Sequence, residues 1–528
     1  MYIDYNDKIR IIALYFCTCK VKVKVKKYII IYILSKIIDY YNKEFICKRI
    51  NNSNKITKYN YNCKQLEAIF SDEINNLVIA GPGSGKTTLI IGKINYLIEE
   101  RKYLEKDILC LSFTNNACNH LKNKLKYKVD VMTFHMLAKT IVGKKYKINN
   151  NYLRYVIDEY FHTYVDNNID IKIKVLYLIK KININKYQKY LELGYFDNIK
   201  STIYKFINLF ICSGYSYESF LKIKRNKILV RIIIDIYYLY KSELRAQQEL
   251  DLNGLINEAS IKFNHKLNYK YIIIDEFQDI SNARYNLVNF LQQNTNSKIL
   301  AVGDDFQAIY GFSGSNLESF FRILNDKDRT KIIKLNMNYR NSKELIRVAT
   351  KFVMKNRKQE KKRIITTKSI ERPIIIVREK DNSLERLITY IGDKQILILS
   401  RNNKDVKKYL TLEQEKRILS LKNVKYSTIH SAKGLEAEVV VIINLEDSII
   451  GFPSKIKEHK LIEKTFFKEK IKYEEERRLF FVALTRSMTY VYLLEPKNPS
   501  SFLKEIKKDN KKYITFLDIW IIIFNPFS

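Results

Sequence analysis

Eight consecutive residues, Gly81 to Thr88, have the composition of a loop that binds phosphate groups. The loop contains three glycines, a lysine and two threonines, and Ala80 precedes it where the usual pattern has another glycine. Backbone N–H groups of such a loop surround phosphate oxygens, its lysine reaches the β- and γ-phosphates, and its hydroxyl holds Mg²⁺. We predict that Lys86 and Thr87 take these two roles for ATP. The predicted nucleotide-binding residues here are Ala80, Gly81, Pro82, Gly83, Ser84, Gly85, Lys86, Thr87 and Thr88.

Two adjacent carboxylates, Asp275 and Glu276, could supply the other half of a hydrolytic site. They follow the apolar residues 271–274, which predict a buried strand, as residues 77–80 predict a strand before the phosphate-binding loop. An apolar helical run follows that loop from Leu89. At the end of a strand Asp275 suits a Mg²⁺ ligand, and Glu276 suits the group that positions and deprotonates water. The alternative is an acidic turn after a core strand, but the pairing with the loop favours catalysis.

Nine short segments, counting the phosphate-binding loop, follow one another in an order that resembles the UvrD/Rep superfamily 1 helicases. The match extends from residue 61 to about residue 495. Besides the loop, the segments are Tyr61–Gln65, Leu111–Ala117, Thr133–His135, Asp275–Asp279, Val302–Gly314, Asn338–Arg340, Thr428–Glu436 and Glu475–Arg486. Within that family, three segments are most similar to helicase IV: Tyr310–Ser315, Glu436–Glu438 and Gly451–Pro453.

The resemblance implies roles at the nucleotide for residues outside the loop. By likeness to the family, Arg340 and Arg486 contact the γ-phosphate, and Gln307 is its sensor. Cations there stabilise the charge that spreads over the oxygens during phosphoryl transfer. Further implied contacts are Gln65 and Tyr339 with adenine and Glu436 with ribose. The implied catalytic residues are Lys86, Asp275, Glu276, Gln307, Arg340 and Arg486. For each arginine, the alternative is an ordinary surface charge in a chain with 94 Lys and Arg residues.

The resemblance also implies a track for a single strand of nucleic acid. Phe113, Tyr310 and Phe312 match positions on which bases stack, and stacking contributes ~1–3 kcal/mol per base without regard to base sequence. Residues that would bind phosphates or position the strand are Thr114, Asn115, His135 and His430. Aromatic residues make up 13% of the chain, so core packing is the alternative for each ring, and a structural role is the alternative for each histidine.

The motif spacing, read with the resemblance, predicts the fold class. We expect an α/β protein with two RecA-like P-loop domains, each a parallel sheet flanked by helices, with a helical insertion of the 1B type. Only residues 341–427 separate the fourth and fifth motifs, so we predict little or no 2B domain. The predicted divisions are 1–60, an N-terminal extension of unknown role; 61–138 with 251–340, the first RecA-like domain (1A); 139–250, the helical insertion; 341–500, the second RecA-like domain (2A); and 501–528, a C-terminal tail.

The composition places the protein in a class without fixing its activity. A formal charge of +38 attracts polyanions, although the heavy use of lysine throughout the chain could supply it as compositional drift. The apolar runs Tyr28–Leu34 and Trp520–Phe524 fall below the ~18 residues of a membrane span. Seven scattered cysteines and six histidines lack metal-ligand spacing. We therefore predict a soluble, cytoplasmic protein with reduced thiols. In the N-terminal extension, Val21–Val25 predicts a strand and Tyr28–Arg49 a helix.

These inferences lead to one principal hypothesis and two alternatives. The principal hypothesis is a monomeric ATP- and Mg²⁺-dependent 3′→5′ DNA helicase, an ATP hydrolase that acts on single-stranded or tailed duplex DNA in repair or replication. The polarity and the preference for DNA come from the resemblance alone. The first alternative is a nucleic-acid-stimulated ATPase that translocates or remodels protein–DNA complexes without unwinding. The second is an inactive binding module, which the intact set of catalytic residues argues against.

Overall fold

The structure is a computed structural model that describes residues 61–518, except 216–217, 222, 224–226, 263–266, 316, 326–328, 358 and 467–472. The predicted strand Val21–Val25 and helix Tyr28–Arg49 lie outside the described residues. Residues up to Glu67 and residues from Ala68 belong to separate compact units. Of the first unit, the description covers the start of one helix, where the side chains of Asn62 and Gln65 each accept a hydrogen bond from the other's backbone N–H.

Strands are concentrated in two sheets, and their bounds are as follows. The strands are β1 (Asn75–Ile79), β2 (Ile108–Ser112), β3 (Asp130–Thr133), β4 (Lys147–Ile148), β5 (Glu249–Leu250), β6 (Tyr271–Ile274), β7 (Lys298–Gly303), β8 (Thr330–Lys334), β9 (Ile374–Arg378), β10 (Ile396–Ser400), β11 (Val424–Thr428), β12 (Ala437–Ile442), β13 (Ser487–Glu495) and β14 (Ile514–Leu517). Strands β4 and β5 form a separate two-residue pair.

Helices surround the two sheets and fill the segment between β4 and β5. The α-helices are α1 (Cys63–Phe70), α2 (Lys86–Glu99), α3 (Asn115–Lys122), α4 (Phe134–Val142), α5 (Tyr152–Glu159), α6 (Ile169–Leu178), α7 (Tyr187–Glu192), α8 (Asp197–Cys212), α9 (Glu218–Leu221), α10 (Lys227–Ala246), α11 (Leu252–Ala259), α12 (Asn282–Thr295), α13 (Leu317–Asn325), α14 (Lys343–Val353), α15 (Ser383–Ile391), α16 (Leu412–Leu419), α17 (Lys460–Phe466), α18 (Glu474–Leu484) and α19 (Ser501–Asp509).

The first sheet, within the described residues, has six parallel strands in the order β3-β2-β6-β7-β1-β8. Strands β2 and β6 are buried along their whole length and consist almost entirely of apolar residues, as expected where helices cover both faces of a parallel sheet. Parallel strands end at the same edge of a sheet. The loops after β1, β2, β6 and β7 therefore meet there, and these loops carry most of the predicted site.

The second sheet, again within the described residues, has six parallel strands in the order β11-β10-β12-β13-β9-β14. The motif spacing predicts an end of the second domain at residue 500, but β14 pairs with β9 beyond that point. Helix α19 also buries Phe502, Leu503 and Ile506 in the core of this sheet. The segment from 501 to 517 is therefore an integral part of the second sheet and its core.

Helices α5 to α10 form a layer of their own around one apolar cluster, which includes Phe206, Phe210 and Ile233. Helix α17, which precedes the sixth motif, adds Leu461 and Ile462 to the same cluster. Within the described part of the chain, no helix combines the length and the apolar character that crossing a bilayer would require.

The predicted fold class is confirmed in its main features, two parallel sheets each flanked by helices. The boundaries of the domains, the classification of the helical segment as a 1B-type insertion and the lack of a 2B domain stay predictions. Between Arg340 and Thr428, the described residues include α14, β9, α15, β10, α16 and β11. Each of the three strands in that interval belongs to the second sheet.

Candidate functional site

The phosphate-binding loop connects β1 to α2 and packs against the fourth motif. Gly83 has a φ of 59°, and a Cβ atom there would lie 2.6 Å from the Cβ atom of Arg340. The backbone N–H of Tyr339 donates to the Gly83 carbonyl at 2.8 Å, and the Asn338 amide donates to the Pro82 carbonyl at 2.7 Å. Glycine is thus required at position 83 by both its backbone angle and its neighbour. The structure thereby brings the backbone of the fourth motif directly against the loop.

Lys86 begins helix α2 and faces the carboxylate pair at the end of β6. Its Nζ atom donates to Glu276 Oε2 at 3.2 Å, and the Gln278 amide donates to the same oxygen at 2.7 Å. Burial raises the pKa of Glu276, but the cations Lys86 and Lys433 outweigh it and hold this pKa below its ordinary value. For Asp275, burial and the charge of Glu276 raise the pKa. Of the two carboxyls, Glu276 is therefore the one held firmly in its ionised form.

Arg486 follows helix α18 and is only 2% exposed. Its Nη2 atom donates to Gln307 Oε1 at 3.0 Å, and its Nε atom donates to the carbonyl of Val482 at 3.1 Å. Burial and the neighbouring charge of Arg340 lower the pKa of Arg486 to about 9, so this arginine is still a cation at neutral pH. The predicted sensor and one predicted γ-phosphate arginine are thus in direct contact.

Arg340 lies against Gly83 of the phosphate-binding loop. Its Nε atom donates to Glu436 Oε2 at 2.8 Å, and its Nη1 atom donates to the carbonyl of Thr485 at 3.2 Å. The guanidinium therefore touches the residue predicted to contact ribose and the residue that precedes Arg486. Tyr339, the predicted adenine-stacking residue, is 46% exposed.

A continuous series of hydrogen bonds connects Lys86 to Arg486 across the site. Beyond Glu276, the Gln278 amide oxygen accepts from the Asp304 backbone N–H at 2.8 Å. The Gln307 amide then donates to Asp304 Oδ2 at 2.6 Å and, through its oxygen, accepts from Arg486. Charged groups held in this way need no reorganisation when charge develops on a substrate.

The donor set near the loop fits Mg²⁺. Thr87 is the second residue of α2 and Asp275 directly follows β6, so a hydroxyl and a carboxylate oxygen are available at the same sheet edge. In the described part of the chain, no cluster of three or more His, Cys, Asp or Glu side chains could hold a metal by itself. Such a set suits Mg²⁺, which usually keeps several waters and is bound through one or two protein oxygens plus substrate phosphates.

Two further predicted nucleotide-binding residues, Gln65 and Thr88, lie on helices α1 and α2. Gln65 lies on α1, in the unit that ends at Glu67, and its side chain accepts a hydrogen bond from the Asn62 backbone. Thr88 lies in the first turn of α2. The adenine contact of Gln65, the place of Thr88 among the nucleotide-binding residues and the roles of the other site residues stay predictions.

The predicted nucleic-acid contacts fall into two groups. In the first group, the Phe113 ring packs against Phe134 at 5.3 Å between ring centroids. The guanidinium of Arg284, from α12, lies 5.1 Å from the Phe113 centroid. Burial and the charge of Arg284 lower the pKa of His135 to about 4, so this histidine is neutral at physiological pH. Exposed Thr114 caps α3 through its hydroxyl, with exposed Asn115 beside it.

The second group joins the third motif to the fifth motif. The Tyr310 hydroxyl donates to the His430 carbonyl at 2.9 Å, and the ring centroids of Phe312 and His430 are 5.3 Å apart. Phe312 is 49% exposed, whereas Tyr310 also packs on the core of the second sheet. Burial and the charge of Arg401 lower the pKa of His430 to about 4. Among the rings in this group, Phe312 thus has the largest exposed fraction.

Three cations that the motifs did not single out contact residues in or beside the predicted site. Lys433 donates to Asp279 and, at 3.0 Å, to the Gln307 carbonyl, and its place in the fifth motif is a signal that could have revealed it. Arg284 and Lys362 carry no local pattern that separates them from the rest of the 94 Lys and Arg residues. Only the folded chain places Arg284 over Phe113, and Lys362 against Asp304.

Comparison with known proteins gives the family. The model of the UvrD/REP helicase N-terminal domain matches residues 61–328, and the model of the UvrD-like helicase C-terminal domain matches residues 379–496. The chain therefore belongs to the UvrD/REP helicase family, and the resemblance stated from its motifs is confirmed.

Individual relatives extend the similarity over different lengths. DNA helicase IV of Escherichia coli is 27% identical over 484 residues, which are 84% of this chain and 70% of the relative. A probable DNA helicase of Mycoplasma pneumoniae is 28% identical over 491 residues, 85% of this chain and 87% of the relative. The ATP-dependent DNA helicase PcrA of Staphylococcus epidermidis is 27% identical over 327 residues, 59% of this chain and 42% of the relative.

Proposed function

We propose that this protein is an ATP-dependent DNA helicase that moves 3′→5′ along single-stranded DNA. The observation that carries the proposal is the hydrogen-bonded series from Lys86 to Arg486, which ties a phosphate-binding loop on the first sheet to an arginine on the second. Relatives named as DNA helicases, several of them described as ATP-dependent, support the use of ATP and DNA. The 3′→5′ polarity rests on the resemblance of the motifs.

The arrangement supports hydrolysis with a division of labour between the two sheets. Lys86 binds phosphate oxygens from the first sheet, and Glu276, held ionised by Lys86 and Lys433, accepts a proton from the attacking water. Arg340 and Arg486 neutralise charge from the side of the second sheet. Thr87 and Asp275 would hold Mg²⁺ together with the substrate, and the ion would supply further charge neutralisation there. Because cations from both sheets are needed, hydrolysis depends on the distance between the sheets.

The strand contacts are connected to the same cleft. Tyr310 of the third motif donates a hydrogen bond to the His430 carbonyl of the fifth motif, and the Lys433 cation lies 5.2 Å from the Tyr310 ring centroid. Lys433 also donates to the carbonyl of Gln307, the predicted sensor. A change in the separation of the sheets would therefore move Phe312 and His430 relative to Phe113. We infer that this movement advances a bound strand.

A second candidate is an ATPase that is stimulated by nucleic acid but does not separate duplexes by itself. The favouring observation is that the three strands that the structure describes between the fourth and fifth motifs all belong to the second sheet. A 2B domain would be inserted in that interval, and the sequence predicts little or no such domain there. A role in repair or replication, monomeric action and cytoplasmic location are further parts of the proposal.

The decisive experiment measures ATP hydrolysis with no nucleic acid, single-stranded DNA, single-stranded RNA, and duplexes with a 3′ or a 5′ tail. We expect stimulation by single-stranded DNA and displacement of the strand from the 3′-tailed duplex only. Stimulation of hydrolysis without displacement of a strand would select the second candidate. Displacement from the 5′-tailed duplex only would show a polarity opposite to the proposed one. An absence of stimulation by either DNA or RNA would reject the motor.

The matched control for this experiment is Lys86→Ala. This change removes the cation that binds the phosphates, so we expect hydrolysis to be lost while single-stranded DNA is still bound. An unchanged rate of hydrolysis would contradict the assignment of the phosphate-binding loop.

A further inference from the structure

Residues 360–368, which follow helix α14, run as an extended segment alongside the phosphate-binding loop and the fourth motif. Ile365 exchanges backbone hydrogen bonds with this region, donating to the Asn336 carbonyl at 2.7 Å and accepting from the Asn338 N–H at 2.8 Å. Side chains alternate as in a strand, with Ile365 43% exposed and Ile364 beneath Gly81. The same alternation turns Lys362 inward, although lysine is rarely buried.

Lys362 is enclosed at a junction between the loop and the third motif. Its side chain is 3% exposed, and its Nζ atom pairs with the carboxylates of Asp304 and Asp305, both completely buried. The same atom donates to the carbonyl of Ala80 at 3.2 Å and lies 4.1 Å from the centroid of the Phe306 ring. This one cation therefore touches the first residue of the nucleotide site and the two carboxylates of the third motif.

Asp304 connects Lys362 to Gln307, the predicted sensor. One of its oxygens binds Lys362, and the other accepts from the Gln307 amide at 2.6 Å. A carboxylate can only accept hydrogen bonds and a guanidinium can only donate them. The amide of Gln307 must therefore place its NH₂ group on Asp304 and its oxygen on Arg486, as is observed. Asp304 thus fixes which end of the sensor meets the arginine.

The cluster depends on its cation. Two adjacent buried carboxylates repel each other and lose their hydration, so they need a charge of opposite sign and hydrogen bonds to remain in place. Burial lowers the pKa of Lys362, but the two carboxylates outweigh it and raise this pKa above its ordinary value. Lys362 is therefore charged at neutral pH. Without it, the orientation of Asp304 and of the Gln307 amide would no longer be determined.

We propose that Lys362 is a positioning residue for ATP hydrolysis, which acts through Asp304 to hold Gln307 in the orientation that meets Arg486. The proposal rests on the proposed function, since Gln307 and Arg486 are assigned to the γ-phosphate there. Lys362 would not touch the nucleotide. Its effect should therefore appear in the turnover number and depend on the presence of Gln307.

The test compares ATP hydrolysis, at saturating single-stranded DNA, by the wild-type protein and the variants Lys362→Met, Gln307→Ala and the double variant. For Lys362→Met we expect kcat to fall roughly 10- to 100-fold, because small misplacements of catalytic groups cost this much. We expect KM for ATP to change by less than about threefold, because the proposal has Gln307 and Arg486 act on the γ-phosphate mainly in the transition state. In the Gln307→Ala background, Lys362→Met should lower kcat by less than about twofold, since residues that act through each other are not additive.

Two further variants keep the test informative if Lys362→Met is poorly folded. Adding Asp305→Asn to Lys362→Met restores the net charge of the buried cluster without restoring the contact to Asp304. This pair should fold, as judged by thermal unfolding, and still show the loss of kcat. Lys334→Met is the matched control, because Lys334 pairs with Glu360 at the more exposed side of the same segment. It should retain wild-type kcat.

Three outcomes would overturn the proposal. A Lys362→Met protein with wild-type kcat would show that Gln307 is oriented without Lys362, even if the variant has a lower melting temperature. An equal loss of kcat with and without Gln307 would mean that the lysine does not act through Gln307. A rise in KM with unchanged kcat would assign Lys362 to the Ala80 contact instead. If the wild-type protein itself shows no DNA-stimulated hydrolysis, the proposed function fails, and this proposal fails with it.

Discussion

The proposed nucleotide cleft and the proposed nucleic-acid track begin at the same edge of the first sheet, but their side chains are held differently. In the cleft, Glu276, Gln307 and Arg486 are each fixed by hydrogen bonds to other side chains. On the track, Phe312 is half exposed, and Thr114 and Asn115 are exposed. A buried polar group that loses its partner pays its full desolvation cost, whereas an exposed ring returns to water. Substitutions in the cleft should therefore cause large losses in the rate of ATP hydrolysis. Substitutions on the track should cause smaller losses in the affinity for nucleic acid.

The largest effect is expected for Arg486→Ala. This change removes a buried cation that the proposed function places on the γ-phosphate, and loss of such an arginine costs roughly 10³- to 10⁵-fold in turnover. Binding of a fluorescent oligonucleotide in the absence of ATP should remain within about threefold of wild type, because the track is not altered. Thermal unfolding of the variant checks that the fold is retained. A loss of oligonucleotide binding equal to the loss of turnover would remove the distinction between the two regions.

Glu276→Gln should have the next largest effect. The change keeps the shape and the hydrogen bond from Gln278 but removes the base, so DNA-stimulated hydrolysis should fall roughly 10²- to 10⁴-fold. Because Glu276 also pairs with Lys86, binding of ATP should be kept or strengthened, which equilibrium binding can measure. A variant that hydrolyses ATP normally would assign the base elsewhere.

On the track, Phe312→Ala should weaken binding without altering the cleft. Loss of one stacking ring costs ~1–3 kcal/mol, which is roughly 5- to 150-fold in Kd. Hydrolysis without DNA should stay at the wild-type level. The matched control is Tyr390→Ala, which removes another half-exposed ring, on α15 of the second sheet, and should leave the Kd unchanged. Equal effects of the two changes would place the track elsewhere.

Arg284→Gln sharpens the same comparison through salt dependence. If this guanidinium, over Phe113, contacts one phosphate, its loss should reduce the slope of log K against log salt for single-stranded DNA by about 0.7. Arg347→Gln, an exposed arginine on α14, controls for the general loss of one positive charge and should leave the slope unchanged. An unaltered slope for Arg284→Gln would assign this arginine to packing against its aromatic neighbours.

The smallest effect concerns pH. His430 has a folded-state pKa of about 4, below the ordinary value of 6.5, so the unfolded chain binds a proton more readily. Its contribution to stability is complete above pH 6.5 and is lost as the pH falls towards 4. The urea midpoint of His430→Gln should therefore fall less than that of wild type between pH 7.5 and pH 4.5. His120→Gln, at an exposed position, should follow wild type.

Several features were predictable because they depend on neighbours in the chain. The phosphate-binding loop, the strand before it and the strand before Asp275 follow from short local patterns, and the structure has β1 and β6 at the places of these two strands. The chain end was less predictable. Strand β14 reads locally like any short apolar segment, and its place beside β9 depends on a pairing with a strand more than a hundred residues away.

The sequence by itself determined the chemistry of this protein: a phosphate-binding loop, a carboxylate pair, a glutamine and two arginines in the order of a known family. Only the tertiary structure decided which of those groups meet. It set the Gln307 amide between Asp304 and Arg486, and it brought Lys362 under the loop as their common counter-charge. The reason is physical. Residue types and short spacings encode local backbone and reactivity, whereas the pairing of buried charges depends on which distant segments the folded core brings together.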